Sequence, residues 1–154
     1  MIQLKKILLP TDFSAPSRNA ARYAASFAEE YRARIYLLHV MEGPTPPMAS
    51  EEVGPGDGGL REEIERGVAE EMKGALPENS GKGLEVIHLT RHGRPHEEIV
   101  GVAREMDVDL IVMGTHGRSG LSHILLGSTA ERVVRNAPCP VLTVRHPEHE
   151  FVMP

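Results

Sequence analysis

Cysteine is almost missing from this sequence: Cys139 stands alone in 154 residues. One cysteine excludes an intrachain disulfide framework and suits a reducing compartment. Aromatic residues make up only 4% of the chain, which leaves few rings on which nucleobases can stack. Long apolar runs are absent as well; none approaches the ~18 residues needed to cross a bilayer. The start, Met1-Ile2-Gln3-Leu4-Lys5-Lys6-Ile7, leads into a short apolar run that ends at Pro10. It lacks the longer apolar region and small-residue cleavage site of a signal peptide, so the expected location is the cytoplasm. Positive charge is in deficit: 17 Lys and Arg against 22 Asp and Glu leave a formal charge of −5. Without clustered Lys and Arg there is no broad polyanion-binding face, and neither nucleic acid nor membrane is an expected partner. A small phosphorylated ligand is still open, because backbone N–H groups bind phosphate without net positive charge.

What is present is globular: 40% of residues are apolar and 25% charged. The length fits one domain with a buried core, expected over residues 1–146, followed by a loose tail at 147–154. Apolar runs of strand length occur at Lys6–Leu9, Ile35–Val40, Leu84–Thr90, Leu110–Met113 and Val141–Val144, with helical periodicity in most of the space between. Ala20, Ala24, Phe27, Ala28 and Tyr31 make one apolar stripe, with Ser14 placed to cap that helix and Pro16 inside its first turn. Ile99, Val102, Ala103 and Met106 repeat the pattern; Pro95 opens that helix, and Glu97 and Glu98 suit its positive end. The last helix carries Ala130, Val133, Val134 and Ala137, and Ser128-Thr129-Ala130-Glu131 reads as a capping box. The second helix is weaker: Leu60, Ile64, Val68 and Met72 align, but Gly67 interrupts them. Residues 42–59 are too rich in Pro and Gly for a regular element and are expected to form a mobile loop after the second strand. No internal repeat is visible.

Strand and helix signals that alternate imply a parallel sheet with helices on both faces. Ile7-Leu8-Leu9, Ile35-Tyr36-Leu37-Leu38 and Leu110-Ile111-Val112-Met113 are apolar throughout, as central strands buried on both faces should be. The third and fifth runs carry polar residues and read as edges. Right-handed crossovers then favour a doubly wound, Rossmann-like α/β fold of five parallel strands in the order 3-2-1-4-5. Its switch point lies between strands 1 and 4.

Ligands bind such sheets beyond the carboxyl ends of the strands at the switch point. Two features meet there: Pro10-Thr11-Asp12-Phe13-Ser14 after strand 1, and the stretch from Gly114 to Thr129 after strand 4. Gly114 and Gly117 let backbone pass close to a phosphate. Gly127-Ser128-Thr129 presents N–H groups and two hydroxyls at a helix start, where the helix dipole favours an anion. Arg118 can add a charged donor, and Asp12 can reach a ribose hydroxyl or a phosphate-bound Mg²⁺. Neither G-x-x-x-x-G-K-[ST] nor an early G-x-G-x-x-G is present. The bland alternative is that the glycines shape turns and Ser128 merely caps its helix.

Gly114-x-x-Gly117, nine residues, then Gly127-Ser128 resembles the G-2x-G-9x-G-[S/T] signature of ATP-binding universal stress proteins. Lys6-Ile7-Leu8-Leu9-Pro10-Thr11-Asp12-Phe13-Ser14 resembles that family's first strand, Leu38-His39-Val40 its second, and Pro138-Cys139-Pro140-Val141-Leu142-Thr143-Val144 its last. The resemblance implies ATP binding, usually with a divalent metal, Mg²⁺ here held mainly by the phosphates, and a homodimer through the last strand (Val141, Leu142, Val144). It assigns Asp12 and Val40 to the nucleoside end, with Val40 acting through its backbone. Pro10 and Met113 would form the adenine slot, and Gly114, Gly117, Gly127, Ser128 and Thr129 would hold ribose and phosphates. Arg118 lies in the variable spacer.

Other residues carry weaker chemistry. His92 and His96 are four apart, but the Gly and Pro between them argue against one helical face, and a zinc site is not expected. His116 and His123 lie in the glycine loop, where an imidazole can touch phosphate or move a proton; exposed loop filler is the simpler reading. Cys139, between two prolines, lacks a resolving partner and reads as structural. Three functions are consistent with all this: an ATP-binding regulator read by an unknown protein partner, a slow ATPase, and a dimeric scaffold that binds AMP, a cyclic nucleotide or none. The absence of a P-loop Lys weighs against the enzyme.

Overall fold

The apolar runs and helical stripes resolve, in a computed structural model describing residues 1–43, 57–80, 83–116 and 126–145, into nine elements. In chain order these are β1 (Lys6–Pro10), α1 (Ala15–Tyr31), β2 (Arg34–Met41), α2 (Asp57–Lys73), β3 (Val86–His92), α3 (Pro95–Glu105), β4 (Leu110–Gly114), α4 (Ser128–Asn136) and β5 (Val141–Val144). The strands form one sheet in the order β3-β2-β1-β4-β5, every pair parallel. The doubly wound α/β architecture expected from the alternation is therefore present, with β3 and β5 at the edges.

Side chains alternate across each strand and divide the core in two. Ile7, Leu9, Ile35, Leu37, Val112 and Val144 face α1 and α2. Leu8, Tyr36, Leu38, Ile111 and Met113 face α3 and α4. Each fully buried Leu or Ile contributes about 1.5–3 kcal/mol relative to exposure. An alanine face (Ala20, Ala21, Ala24, Ala25, Ala28) lets α1 lie close on the sheet. Ser14 caps α1 as expected, its side chain accepting from Ser17 N–H. The far end of the sheet is tied by Asp109, whose Oδ2 accepts from the backbone N–H of Lys5 (2.8 Å) and Lys6 (2.9 Å).

Several local expectations need correcting. Gly67 does not interrupt α2, which runs continuously through it. Of its apolar stripe, Val68 and Met72 reach the core, whereas Leu60 and Ile64 are exposed. Helix α2 begins at Asp57, so the end of the expected loop at 42–59 is helical. Residues 44–56 of that loop, and the expected tail at 147–154, lie outside the described residues. β3 begins two residues later than the apolar run suggested, because Ile35 pairs with Val86. Tyr31 and Val134, counted as apolar-stripe positions, are exposed. The capping box at Ser128 does not form: Gly127 is the N-cap, no side chain caps α4, and Glu131 instead pairs with Arg135 at 2.9 Å. No helix among the described residues is long and apolar enough to cross a membrane.

Candidate functional site

The helices that come next after β1 and β4, α1 and α4, lie on opposite faces of the sheet. β1 leads through a tight turn into α1. Asp12 organises that turn: its Oδ1 accepts from Ser14 N–H (3.0 Å), from the Ser17 hydroxyl (2.6 Å) and from the Ser14 hydroxyl. Ser17 Oγ also lies 3.3 Å from Asp12 N–H. Phe13 takes a left-handed φ of 63°, and its N–H donates to Thr11 Oγ1 at 3.1 Å. The Thr11 N–H donates to Leu38 carbonyl at 2.8 Å, which joins the turn to β2.

The turn presses on β4. A Cβ at Gly114 would stand 2.9 Å from Pro16 Cβ and 3.0 Å from the Pro16 carbonyl carbon and oxygen. Only glycine allows α1 to start so close to β4. The next residue, Thr115, is buried; its N–H donates to Val144 carbonyl (2.9 Å), and its carbonyl accepts from Gly127 N–H (2.6 Å). The start of α4 is thus pinned to the end of β4. Its first intrahelical bond runs from Glu131 N–H to Gly127 carbonyl at 2.9 Å. The amides of residues 128–130 have no intrahelical acceptor and no side-chain cap. Gly114 and Thr115 are therefore touched from one side by the start of α1 and from the other by the start of α4.

The expected site residues fall as follows. Pro10 and Met113 are buried at the ends of β1 and β4; Val40, half-buried on β2, packs against the core cluster on the α3 and α4 side, to which Met113 also belongs. Asp12 and Gly114 stand at the switch point. Gly127, Ser128 and Thr129 form the start of α4, with Ser128 exposed and Thr129 half-buried. Gly117, Arg118 and His123 lie outside the described residues. His116 is half-buried, with Nδ1 3.1 Å from Thr115 Oγ1. His92 ends β3 and His96 opens α3, on different elements. Among the described residues no group of three or more His, Cys, Asp or Glu is placed to hold a metal.

Sequence reasoning missed Thr11, Ser17 and Thr115, all buried polar residues at this end of the sheet. A polar residue directly after an apolar strand was the available signal for Thr11 and Thr115; Ser17 lies in the first turn of α1. It also passed over His39, whose Nδ1 is 2.9 Å from Thr11 carbonyl. A separate cavity of about 300 Å³, lined by Met41, Glu65, Val68, Thr90 and His92, opens beside α2. Cys139 lies away from the switch point; burial, then the charge of Asp109, pushes its thiol up, with a backbone bond from Ile111 opposing them.

The family model described as the universal stress protein family matches residues 3–145. Universal stress protein MJ0531 of Methanocaldococcus jannaschii is 41% identical over 150 residues, covering 95% of this chain and 85% of that protein. The solved structure of protein MJ0577 superposes with a TM-score of 0.77 at 32% identity, covering 98% of this chain and 100% of that one. A universal stress protein solved in complex with cAMP shares the fold at a TM-score of 0.62 and 24% identity, over 94% of this chain and 98% of that one.

Proposed function

Because the chain belongs to the universal stress protein family, we propose that it is a regulatory stress-response protein that binds ATP at the β1/β4 switch point. The observation that carries this reading is the convergence of the Asp12 turn and the uncapped start of α4 on Gly114 and Thr115. The three amides of residues 128–130 point a fixed set of donors and the helix dipole at one place, which suits a phosphate. Asp12 and Val40 then hold the nucleoside end, Val40 through its backbone. Pro10 and Met113, already buried, floor the adenine slot. Gly114, Gly117, Gly127, Ser128 and Thr129 hold ribose and phosphates, and Arg118 adds a cation. Mg²⁺ takes its ligands mainly from phosphate oxygens.

Nucleotide occupancy biases the loop between β4 and α4, or a dimer paired through β5, and a partner protein reads the result. Catalysis fits less well. The Oδ1 of Asp12 already accepts from Ser14 and Ser17, which makes it a poor general base. The test is calorimetric titration of nucleotide-stripped protein with Mg-ATP, Mg-GTP and AMP. Saturation near one ATP per chain, with GTP weaker, is the expected result. No heat from any nucleotide with folded protein refutes the reading, and tighter AMP than ATP replaces ATP with a shorter adenine nucleotide.

A further inference from the structure

We propose that His39 is the positioning residue for the nucleoside end of the site, an inference that rests on the nucleotide-binding reading above. His39 precedes Val40 on β2, and neighbouring strand residues face opposite sides of the sheet. Val40 faces α3 and α4, while His39 turns toward α1 and the Asp12 turn. Its Nδ1 stands 2.9 Å from the Thr11 carbonyl oxygen. A carbonyl only accepts, so Nδ1 carries the hydrogen and the tautomer is fixed. The Thr11 N–H donates to Leu38 carbonyl at 2.8 Å, and thus both backbone groups of Thr11 are held by consecutive residues of β2.

The residue after Asp12 is held by the same imidazole. Phe13 has a φ of 63°, a region that bulky side chains rarely occupy unless the surroundings over-determine them. Its ring centroid lies 4.6 Å from that of His39, at an interplanar angle of 31°. Asp12 therefore sits between two residues, Thr11 and Phe13, that His39 grips directly. The imidazole fixes the distance between Asp12 and Val40, the two groups assigned to the nucleoside. None of these contacts reaches the start of α4, so the effect belongs to the nucleoside and is independent of phosphate number.

Two variants separate the contacts. His39→Phe keeps a ring against Phe13 and removes the donor to Thr11. His39→Asn keeps a donor near the Nδ1 position and removes the ring. Folding is checked by thermal unfolding, and binding by titration with Mg-ATP and with AMP. His39→Phe is expected to weaken both nucleotides by a similar factor, roughly tenfold, as one buried acceptor is left unpaired. His39→Asn is expected to recover most of that loss. A His39→Phe protein within about twofold of wild type, a loss confined to ATP, or equal losses in both variants overturns the proposal. Wild-type protein that binds neither nucleotide overturns the parent reading instead. If His39→Phe does not fold, ¹⁵N spectra of wild-type histidines decide: an Nδ1–H tautomer at His39 that shifts on saturation with Mg-ATP supports the proposal, and an Nε2–H tautomer or an unmoved signal overturns it.

Discussion

Replacing Gly114 with alanine adds one methyl group at the point where β4 meets α1. That methyl would lie 2.9 Å from Pro16 Cβ and 3.0 Å from its carbonyl carbon and oxygen. Two of the three contacts are backbone and the third belongs to a closed ring, so no rotamer change relieves them. The start of α1 must move by a few tenths of an ångström, and with it the Ser14 cap and the Asp12 turn. Overpacking of this kind costs roughly 1–3 kcal/mol. For a chain of this length each kcal/mol moves Tm by about 2–4 °C, so a mid-range cost of ~2 kcal/mol predicts a fall of about 4–8 °C. Gly101→Ala is the matched control: it sits exposed in α3 with nothing within 4 Å of the added Cβ. There the alanine gains up to ~1 kcal/mol of helix propensity, and Tm should rise by about 2–4 °C. Thermal unfolding followed by circular dichroism reads both. A Gly114→Ala protein that melts within about 1 °C of wild type, beside a stabilised Gly101→Ala, would refute the close approach of α1 to β4.

Other expectations are independent of this one. Asp109→Ala removes the acceptor for the Lys5 and Lys6 amides, and urea unfolding should show a loss of about 1–3 kcal/mol. Burial raises the Cys139 thiol above its ordinary value of 9.0. Alkylation by iodoacetamide should therefore lag a free thiol at pH 8 and accelerate only as pH climbs beyond the ordinary value. The native state holds the thiol proton to higher pH than the unfolded chain, so this contribution to stability is complete below the unfolded pKa and is lost as pH rises through the folded one. β5 is an edge strand, and Val144 carbonyl accepts from Thr115 N–H on the β4 side. Thr143, one residue earlier, turns its backbone away from β4. Light scattering should show a dimer for wild type and a monomer for Thr143→Pro, since proline removes that outward donor. A monomeric wild type at micromolar concentration contradicts the β5 pairing.

Long-range architecture was legible where burial left a strong pattern. Ile7-Leu8-Leu9 and Leu110-Ile111-Val112-Met113 read as central strands because helices cover both their faces, and the strand order followed. Helix caps were legible only where the local sequence had one solution. Ser14 caps α1 as its position suggested, but at α4 the backbone of Gly127 is held by Thr115 carbonyl at 2.6 Å. That tertiary bond moves the helix start one residue earlier than the capping-box pattern and leaves Ser128 inside the first turn. Gly67 misled for a related reason: one helical glycine costs only ~1 kcal/mol, and the packing of Val68 and Met72 against the core carries the helix through it. In the candidate site, Asp12 and Gly114 were readable from their places at the ends of apolar strands, and Gly127 from its place before the last helix. Thr11, Thr115 and His39 were not, because their bonds join β1 to β2, and β4 to β5 and the start of α4, across spans no local window contains; Ser17 was missed although its bonds to Asp12 and Ser14 are local.

In the proposed complex, nucleotide sits where the Asp12 turn and the start of α4 converge. The most direct measurement is an amide ¹H–¹⁵N titration of nucleotide-stripped protein with Mg-ATP. The amides of Asp12, Phe13, Ser14, Ser128, Thr129 and Ala130 should shift together on one saturable curve. Saturable shifts confined to the α2 cavity or to the β3 edge, with these six amides unmoved, would contradict it.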